Sequence, residues 1–313
     1  MDFKHVPVLC DEVIEGLQLK PDGIYVDGTL GGGGHSGEIL KRLEGGLLVG
    51  IDQDDAALSA AKKHLETIGG NFRLVKGNFV DMPAILKALH IEQVDGILLD
   101  IGVSSHQFDT AERGFSYRFD GPLDMRMDKD ASIRAYDIVN TYSEKDLAKI
   151  IKTYGEERWG DRIAAFIVRQ RQEAPITTTF ELVDVIKKAI PKKVRQEGGH
   201  PAKKTFQALR IAVNRELDVL ESSIPDMVRM LKPGGRLAII TFHSLEDRIV
   251  KNSFQYLYKD CICPPRQPIC TCSKKREIEI ITRKPITASD KELEENHRAH
   301  SAKLRIAEKV EGE

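Results

Sequence analysis

The chain has 313 residues, 41% of them apolar, and its 47 basic and 48 acidic side chains leave a net charge of −1. At roughly 150 residues per domain this allows one large domain or two with a real core. The charge balance excludes a chain-wide nucleic-acid surface, so an RNA or DNA site must be a local patch. No apolar run approaches the ~18 residues of a membrane span. The start, Met1-Asp2-Phe3-Lys4-His5, lacks the basic and apolar regions of a signal peptide. Five cysteines, one isolated at Cys10, do not look like a secreted disulfide framework. A cytoplasmic location without a membrane partner is expected.

In chain order, β-branched apolar runs at 24–27, 47–52, 72–75 and 94–100 predict strands, and the spacing at 56–68 and 82–89 predicts helices. This alternation is that of an α/β, doubly wound, mostly parallel sheet. After Asp100 the rhythm stops. Helical patterns at 143–154, 161–173, 179–189 and 205–222 replace it, and they predict a helical insertion domain over 107–221. Helix, turn and strand then resume at 224–231, 232–235 and 236–242, followed by a helix at 244–258 and strands at 277–283 and 302–307. The α/β domain is therefore expected to comprise 1–106 and 222–313.

The first strand runs into Asp27-Gly28-Thr29-Leu30-Gly31-Gly32-Gly33-Gly34-His35-Ser36. Strand, glycine turn and helix suit a nucleotide-like cofactor, since the turn allows close approach and the helix start offers N–H groups. Gly32, Gly34 and Gly37 form a formal G-x-G-x-x-G match, which is weak alone. Asp27 beside the turn would repel a pyrophosphate but could hold an amino group or a sulfonium-bearing cofactor. Asp52 ends the second strand, where an acid suits ribose hydroxyls; Asp54 can cap the following helix instead. Phe79 in Gly77-Asn78-Phe79 could cover an adenine or simply pack in the core.

Asp100-Ile101-Gly102-Val103-Ser104-Ser105 ends the fourth strand. An exocyclic amine on a base is a poor nucleophile, and fixed acceptors such as Asp100 could orient its N–H groups. The loop from Asp120 to Asp128, which holds Asp124, is too polar and turn-rich to read as core. His243, after the fifth strand, could touch a base or a phosphate, or be a satisfied structural histidine. Lys187-Lys188, Pro191 to Arg195, and His200 to Lys204, with Arg169 and Arg171, could make a phosphate-binding face or a solvated charge run. Cys261-Ile262-Cys263 and Cys270-Thr271-Cys272 could hold zinc, but the C-x-C spacing is tighter than usual; free thiols or oxidation-sensitive pairs are the alternative, and no metal is assigned.

These motifs together resemble the bacterial S-adenosylmethionine-dependent methyltransferases, of the methyltransferase H type, that modify N4 of a cytosine in small-subunit ribosomal RNA. The resemblance rests on His5-Val6-Pro7-Val8-Leu9, the run from Tyr25 to Ser36, Leu98 to Ser105, Asp120 to Asp128, Lys152-Thr153-Tyr154-Gly155-Glu156-Glu157, and Phe242 to Arg248. It implies a class I (Rossmann-like) methyltransferase fold with S-adenosylmethionine bound at Gly33, Gly34, His35, Asp52, Phe79, Asp100 and Gln107. It implies a target in the decoding region of the small ribosomal subunit. Asp100 is the expected amine acceptor, with Asp124 and His243 as candidate further contacts to the base or the departing proton. One departure is His106, where many relatives have proline. The cysteine cluster is not among the family's defining motifs. A homodimer is compatible with the sequence. A non-catalytic ribosome-assembly factor and an NAD-type oxidoreductase are the alternatives.

Overall fold

A computed structural model describes residues 7–196, 199–264, 267 and 269–311. His5 and Val6 of the N-terminal motif lie outside the described residues. Contacts gather into two compact units, one drawn from 1–102 and 217–313 and one from 103–216. The second begins four residues before the expected insertion, 107–221, and ends five residues earlier.

The first unit carries α1 (Cys10–Leu17), β1 (Ile24–Asp27), α2 (Gly34–Leu40), β2 (Leu47–Asp52), α3 (Asp55–Ile68), β3 (Phe72–Lys76), α4 (Met82–Ala88) and β4 (Val94–Asp100). The second carries α5 (Ser105–Asp109), α6 (Ala135–Thr141), α7 (Glu144–Gly155), α8 (Gly160–Glu173), α9 (Thr179–Ala189), α10 (Lys192–Gln196) and α11 (Lys203–Asn214). Then α12 (Glu216–Met230) leads back to β5 (Leu231–Thr241), α13 (Ser244–Tyr258), β6 (Ile278–Ile280), α14 (Asp290–Glu295) and β7 (Lys303–Lys309).

The seven strands form one sheet in the order β3-β2-β1-β4-β5-β7-β6. The five strands β1 to β5 pair in parallel, while β7 runs antiparallel to both β5 and β6. The chain winds outward from β1 through β2 to β3, then crosses back to lay β4 on the other side of β1. The switch point therefore falls between β1 and β4, where a crevice outside the strand ends takes ligands in open α/β sheets.

Period-2 alternation explains why these strands stay buried on both faces. Ile97 and Leu99 of β4 enter one core with Val26, Ile239, Met82 of α4, Ile224 of α12 and Phe254 of α13. Leu98 enters the opposite core with Tyr25, Leu48, Ile240, Val13 of α1 and Leu65 of α3. Each such fully buried aliphatic side chain contributes about 1.5–3 kcal/mol relative to exposure. The second unit closes a core of its own from Ile138 of α6, Ile151 of α7, Ile167 of α8, Ile186 of α9 and Leu209 of α11. Among the described residues no helix is long and apolar enough to cross a membrane.

Three expectations change. The helix expected over 205–222 is two helices, broken at Arg215, whose φ is +51°. There the Asn214 side-chain amide, which also donates to the Arg210 carbonyl, binds the Met125 carbonyl and the Met127 N–H, each at 2.8 Å. The strand expected over 277–283 pairs only across Ile278–Ile280. The loop from Asp120 to Asp128 is not wholly outside the core. Leu123, Met125 and Met127 point inward while the acids and Arg126 between them point out.

At the entry end of the central strand, Asp95 is 5% exposed and receives the Ile24 N–H, Lys20 Nζ and Lys232 Nζ at 3.0, 3.1 and 2.7 Å. Burial pushes its carboxyl up, but the lysines and the N–H outweigh it and hold it below the ordinary carboxylate value. Its stabilising contribution is present above that ordinary value and is lost as pH falls through the lowered one. Asp95→Ala should destabilise the chain by about 2 kcal/mol at pH 7. Urea unfolding of both proteins checks this, and equal midpoints at pH 7 would refute it.

Candidate active site

The glycine turn leaves β1 at the switch point and is stitched to the strands on either side. Toward β4, the Gly28 N–H donates to the Leu98 carbonyl at 2.9 Å, and the Asp100 N–H donates to Thr29 Oγ1 at 2.5 Å. Toward β2, the Leu30 N–H donates to the Ile51 carbonyl at 3.0 Å and the Gly31 N–H to Asp52 Oδ2 at 2.8 Å. Asp27 closes the turn from within. Its two oxygens accept the Thr29 N–H at 3.1 Å and the Ser36 hydroxyl at 2.7 Å.

Two glycines are required by this geometry. Gly33 has φ +78°, and a side chain there would also crowd Ala61 of α3. A Cβ on Gly28 would lie 2.5 Å from the Leu99 side chain and 3.1 Å from Phe79 Cβ. The turn therefore sits directly on β4 and on the residue that follows β3.

Most of the turn's own N–H groups are directed inward. Those of Gly28, Thr29, Leu30, Gly31 and Gly33 are all spent on the protein's own oxygens. What faces the crevice is acidic. Asp27, Asp52 and Asp100 end β1, β2 and β4. Burial pushes the carboxyls of both Asp52 and Asp100 up to about 6, and the Asp27 charge adds to each rise. Burial also raises Asp27, against the Ser36 hydroxyl, the nearby His35 and the Thr29 N–H. Carboxyls grouped at these strand ends favour a cationic ligand over a pyrophosphate.

Asp100 differs from its neighbours in having an unused atom. Its Oδ1 is buried and has no hydrogen-bond partner among the described residues. Its Oδ2 lies 3.8 Å from His35 Nδ1. His35 is itself buried, and its Nε2 lies 2.8 Å from the Val8 carbonyl. A carbonyl only accepts, so Nε2 carries a proton and Nδ1 is the atom turned toward Asp100. Asp52 uses its other oxygen to accept the Asp54 N–H at 2.9 Å, while Asp54 caps α3 through the Ala56 N–H at 3.0 Å. Phe79 is half-buried, packed on the core that holds Val26 and Leu99.

A buried orphan acceptor, a turn with no room for a Cβ at Gly28 or Gly33, and an acidic crevice fit a sulfonium-bearing nucleoside cofactor. The profile of the MraW methylase family matches residues 2–310. This chain belongs to the MraW methylase family. It is an S-adenosylmethionine-dependent methyltransferase, and its sheet is the class I methyltransferase arrangement. It is 57% identical over 311 residues to the ribosomal RNA small subunit methyltransferase H of Clostridioides difficile, covering 99% of this chain and 100% of that protein. It is 58% identical over 311 residues to the ribosomal RNA small subunit methyltransferase H 2 of Agathobacter rectalis, covering 99% of each.

In this MraW family chain several expected site residues have local structural duties. His243 is the N-cap of α13. Its Nδ1 accepts the Glu246 N–H at 3.4 Å, and its Nε2 lies 2.9 Å from Glu246 Oε1. Glu246 is fully buried, and its Oε2 accepts the Phe242 and His243 N–H groups. The structural reading of His243 is the one this geometry carries. Asp124, in the second unit, is gripped by Arg126 through Nε at 2.9 Å and Nη2 at 2.7 Å. Burial pushes the Asp124 carboxyl up, but Arg126 outweighs it and lowers it, which makes it a poor base. Gln107, also in the second unit, is 4% exposed and completes the capping box of α5 with Ser104. Arg171 binds the Val139 and Tyr142 carbonyls rather than standing free for phosphate.

Residues missed in the sequence are Thr29, Ser36 and Glu246. Hydroxyls at the start and end of a glycine turn, and an acid three residues after a strand-end histidine, are capping signals that could have found them.

Asp52 and Asp100 hold their protons more tightly folded than unfolded. Their contribution to stability is therefore full below the ordinary carboxylate value and is lost as pH rises through about 6. The ligand-free protein should lose on the order of 2 kcal/mol between pH 5 and pH 7 from this source. Asp100→Asn should flatten that slope. Urea midpoints across the range check it, and an unchanged slope in the variant would count against the assignment.

Proposed function

We propose that this chain transfers a methyl group from S-adenosylmethionine to the exocyclic N4 amine of a cytosine in the decoding region of small-subunit ribosomal RNA. The observation that carries the reading is the orphaned Oδ1 of Asp100 at the carboxyl edge of β4, inside an acidic crevice beside the glycine turn. The name of the relatives, ribosomal RNA small subunit methyltransferase H, supports the substrate class. When bound, the cofactor supplies an electrophilic methyl group and leaves as a neutral thioether.

This chain's residues do the rest. Asp52 accepts ribose hydroxyls with lone pairs left over from the Gly31 and Asp54 N–H groups. The exposed part of the Phe79 ring covers the adenine. Asp100 Oδ1 accepts an N–H of the cytosine amine and turns the nitrogen lone pair toward the methyl group. Nitrogen gains a carbon bond and must lose one proton. A carboxyl whose pKa is raised to about 6 receives that proton more readily than an ordinary one and passes it to water. His35 positions Asp100 from behind. The cytosine must leave its stack to reach this depth.

The helical unit is the RNA-recognising part in this reading. Lys188, Lys192, Lys193, Lys203 and Lys204 stand exposed on it and suit phosphates. The small ribosomal subunit is the partner, and the cytoplasm the place of action. The NAD-type alternative loses support because acids end β1, β2 and β4 beside the turn and would repel a pyrophosphate.

Two measurements test the proposal. Mass spectrometry of small-subunit RNA from cells with and without the protein should show one methylated cytidine appear with it; RNA of identical composition would leave only an assembly role. With the cofactor saturating, Asp100→Ala should lower turnover by about a hundredfold or more. Normal turnover in that variant would remove Asp100 from the mechanism.

A further inference from the structure

Methyl transfer makes no use of the segment that joins α13 to β6. Its neck is fixed at both ends. The Glu277 N–H donates to the Leu257 carbonyl at 2.9 Å. The Arg276 guanidinium lies over the Tyr258 ring at 4.4 Å and pairs with Asp260 at 2.8 Å and Glu279 at 2.6 Å. Beyond the neck, no helix or strand is found among the described residues of 259–277. Such a stretch has no core of its own to hold its shape.

The tip instead gathers four thiols. Cys261 to Cys270 is 3.5 Å between sulfurs, Cys270 to Cys272 is 3.7 Å, Cys272 to Cys261 is 3.8 Å, and Cys263 to Cys270 is 3.9 Å. All four sulfurs lie within 4.8 Å of one another, and all four cysteines are free. A metal at ~2.3 Å from four tetrahedral thiolates places its ligand sulfurs about 3.8 Å apart. The four separations scatter around that edge. A disulfide would instead need a separation of about 2 Å, and larger iron–sulfur clusters spread their cysteines well beyond a single tetrahedron.

The surroundings suit negative sulfur. The Cys263 N–H donates to Cys261 Sγ, the Ile262 N–H to Cys272 Sγ and the Thr271 N–H to Cys263 Sγ, each at 3.4 Å. Backbone donors aimed at ligand sulfurs orient them and offset the excess charge of a four-thiolate site. The C-x-C spacing, tighter than the common C-x₂-C, is accommodated because each pair contributes one exposed and one half-buried cysteine.

We propose that Cys261, Cys263, Cys270 and Cys272 bind a single structural Zn²⁺ that clips the tip of the segment between α13 and β6. The metal takes no part in methyl transfer. It substitutes for a core in a segment too polar and too short to build one.

The test uses the full-length protein, purified under reducing conditions without chelator or added metal. Elemental analysis should find about one zinc per chain, and Cys261→Ser with Cys272→Ser should reduce it to about a tenth or less. The stripped wild-type protein, titrated with Co²⁺ alone, should develop the visible absorption of tetrahedral thiolate cobalt, saturating at about one equivalent and reversed by Zn²⁺. Zinc-free wild-type protein that gives no such absorption would overturn the proposal. So would iron in place of zinc, disulfides among the four cysteines, or full zinc occupancy in the double variant.

Discussion

The site depends on one constraint: the glycine turn is bound to two strands at once. Gly28 and Thr29 tie it to β4, and Leu30 and Gly31 tie it to β2. Asp27 holds the arc between those ties from a fully enclosed position, through Thr29 and Ser36. Because the same hydrogen bonds fix the strand ends, they also fix where Asp52 and Asp100 stand. Burial there, with the Asp27 charge beside it, raises the carboxyl of each, within a sheet whose two cores are otherwise apolar. The crevice is poised to welcome positive charge before any ligand arrives.

In the proposed chemistry at this edge, Asp100 acts and its neighbours hold it. Asp100 carries a buried oxygen without a partner among the described residues. His35 reaches it from the glycine turn with one nitrogen while the other is anchored on the Val8 carbonyl. Glu246 and His243 form a separate knot that ends β5 and begins α13. Its charge nonetheless reaches Asp100 and helps to raise it. An acid that looks purely structural therefore contributes to the proton affinity of the acceptor.

The sheet was legible because its signals are local. Runs such as Leu47–Asp52 and Val94–Asp100 are mostly apolar, since both faces are covered, and their ends carry acids. The helical unit was legible as helical, but not the break at Arg215, because amphipathic spacing continues across it. The alternation of Leu123, Met125 and Met127 was masked by the charged residues between them. In the site, the positions of Asp52 and Asp100 at strand ends could be read. Roles for His243, Asp124 and Gln107 could not, because each depends on which neighbour has claimed its polar atoms. Sequence gives a histidine its capacity to titrate; only geometry says that both of its nitrogens face Glu246.

The strand order has a consequence for how the molecule is made. β7, residues 303–309, lies between β5 and β6, so those two strands never touch. As the polypeptide emerges during synthesis, β5 waits some sixty residues with an open edge, from Thr241 to Lys303. Only then does the sheet acquire its antiparallel seal and β6 a place to pair. The nascent protein must pass through a stage in which its central ladder is exposed along one side, and pairing this distant in sequence is slow to form. The last segment threaded into the sheet is thus the one that ends its vulnerability to joining another chain.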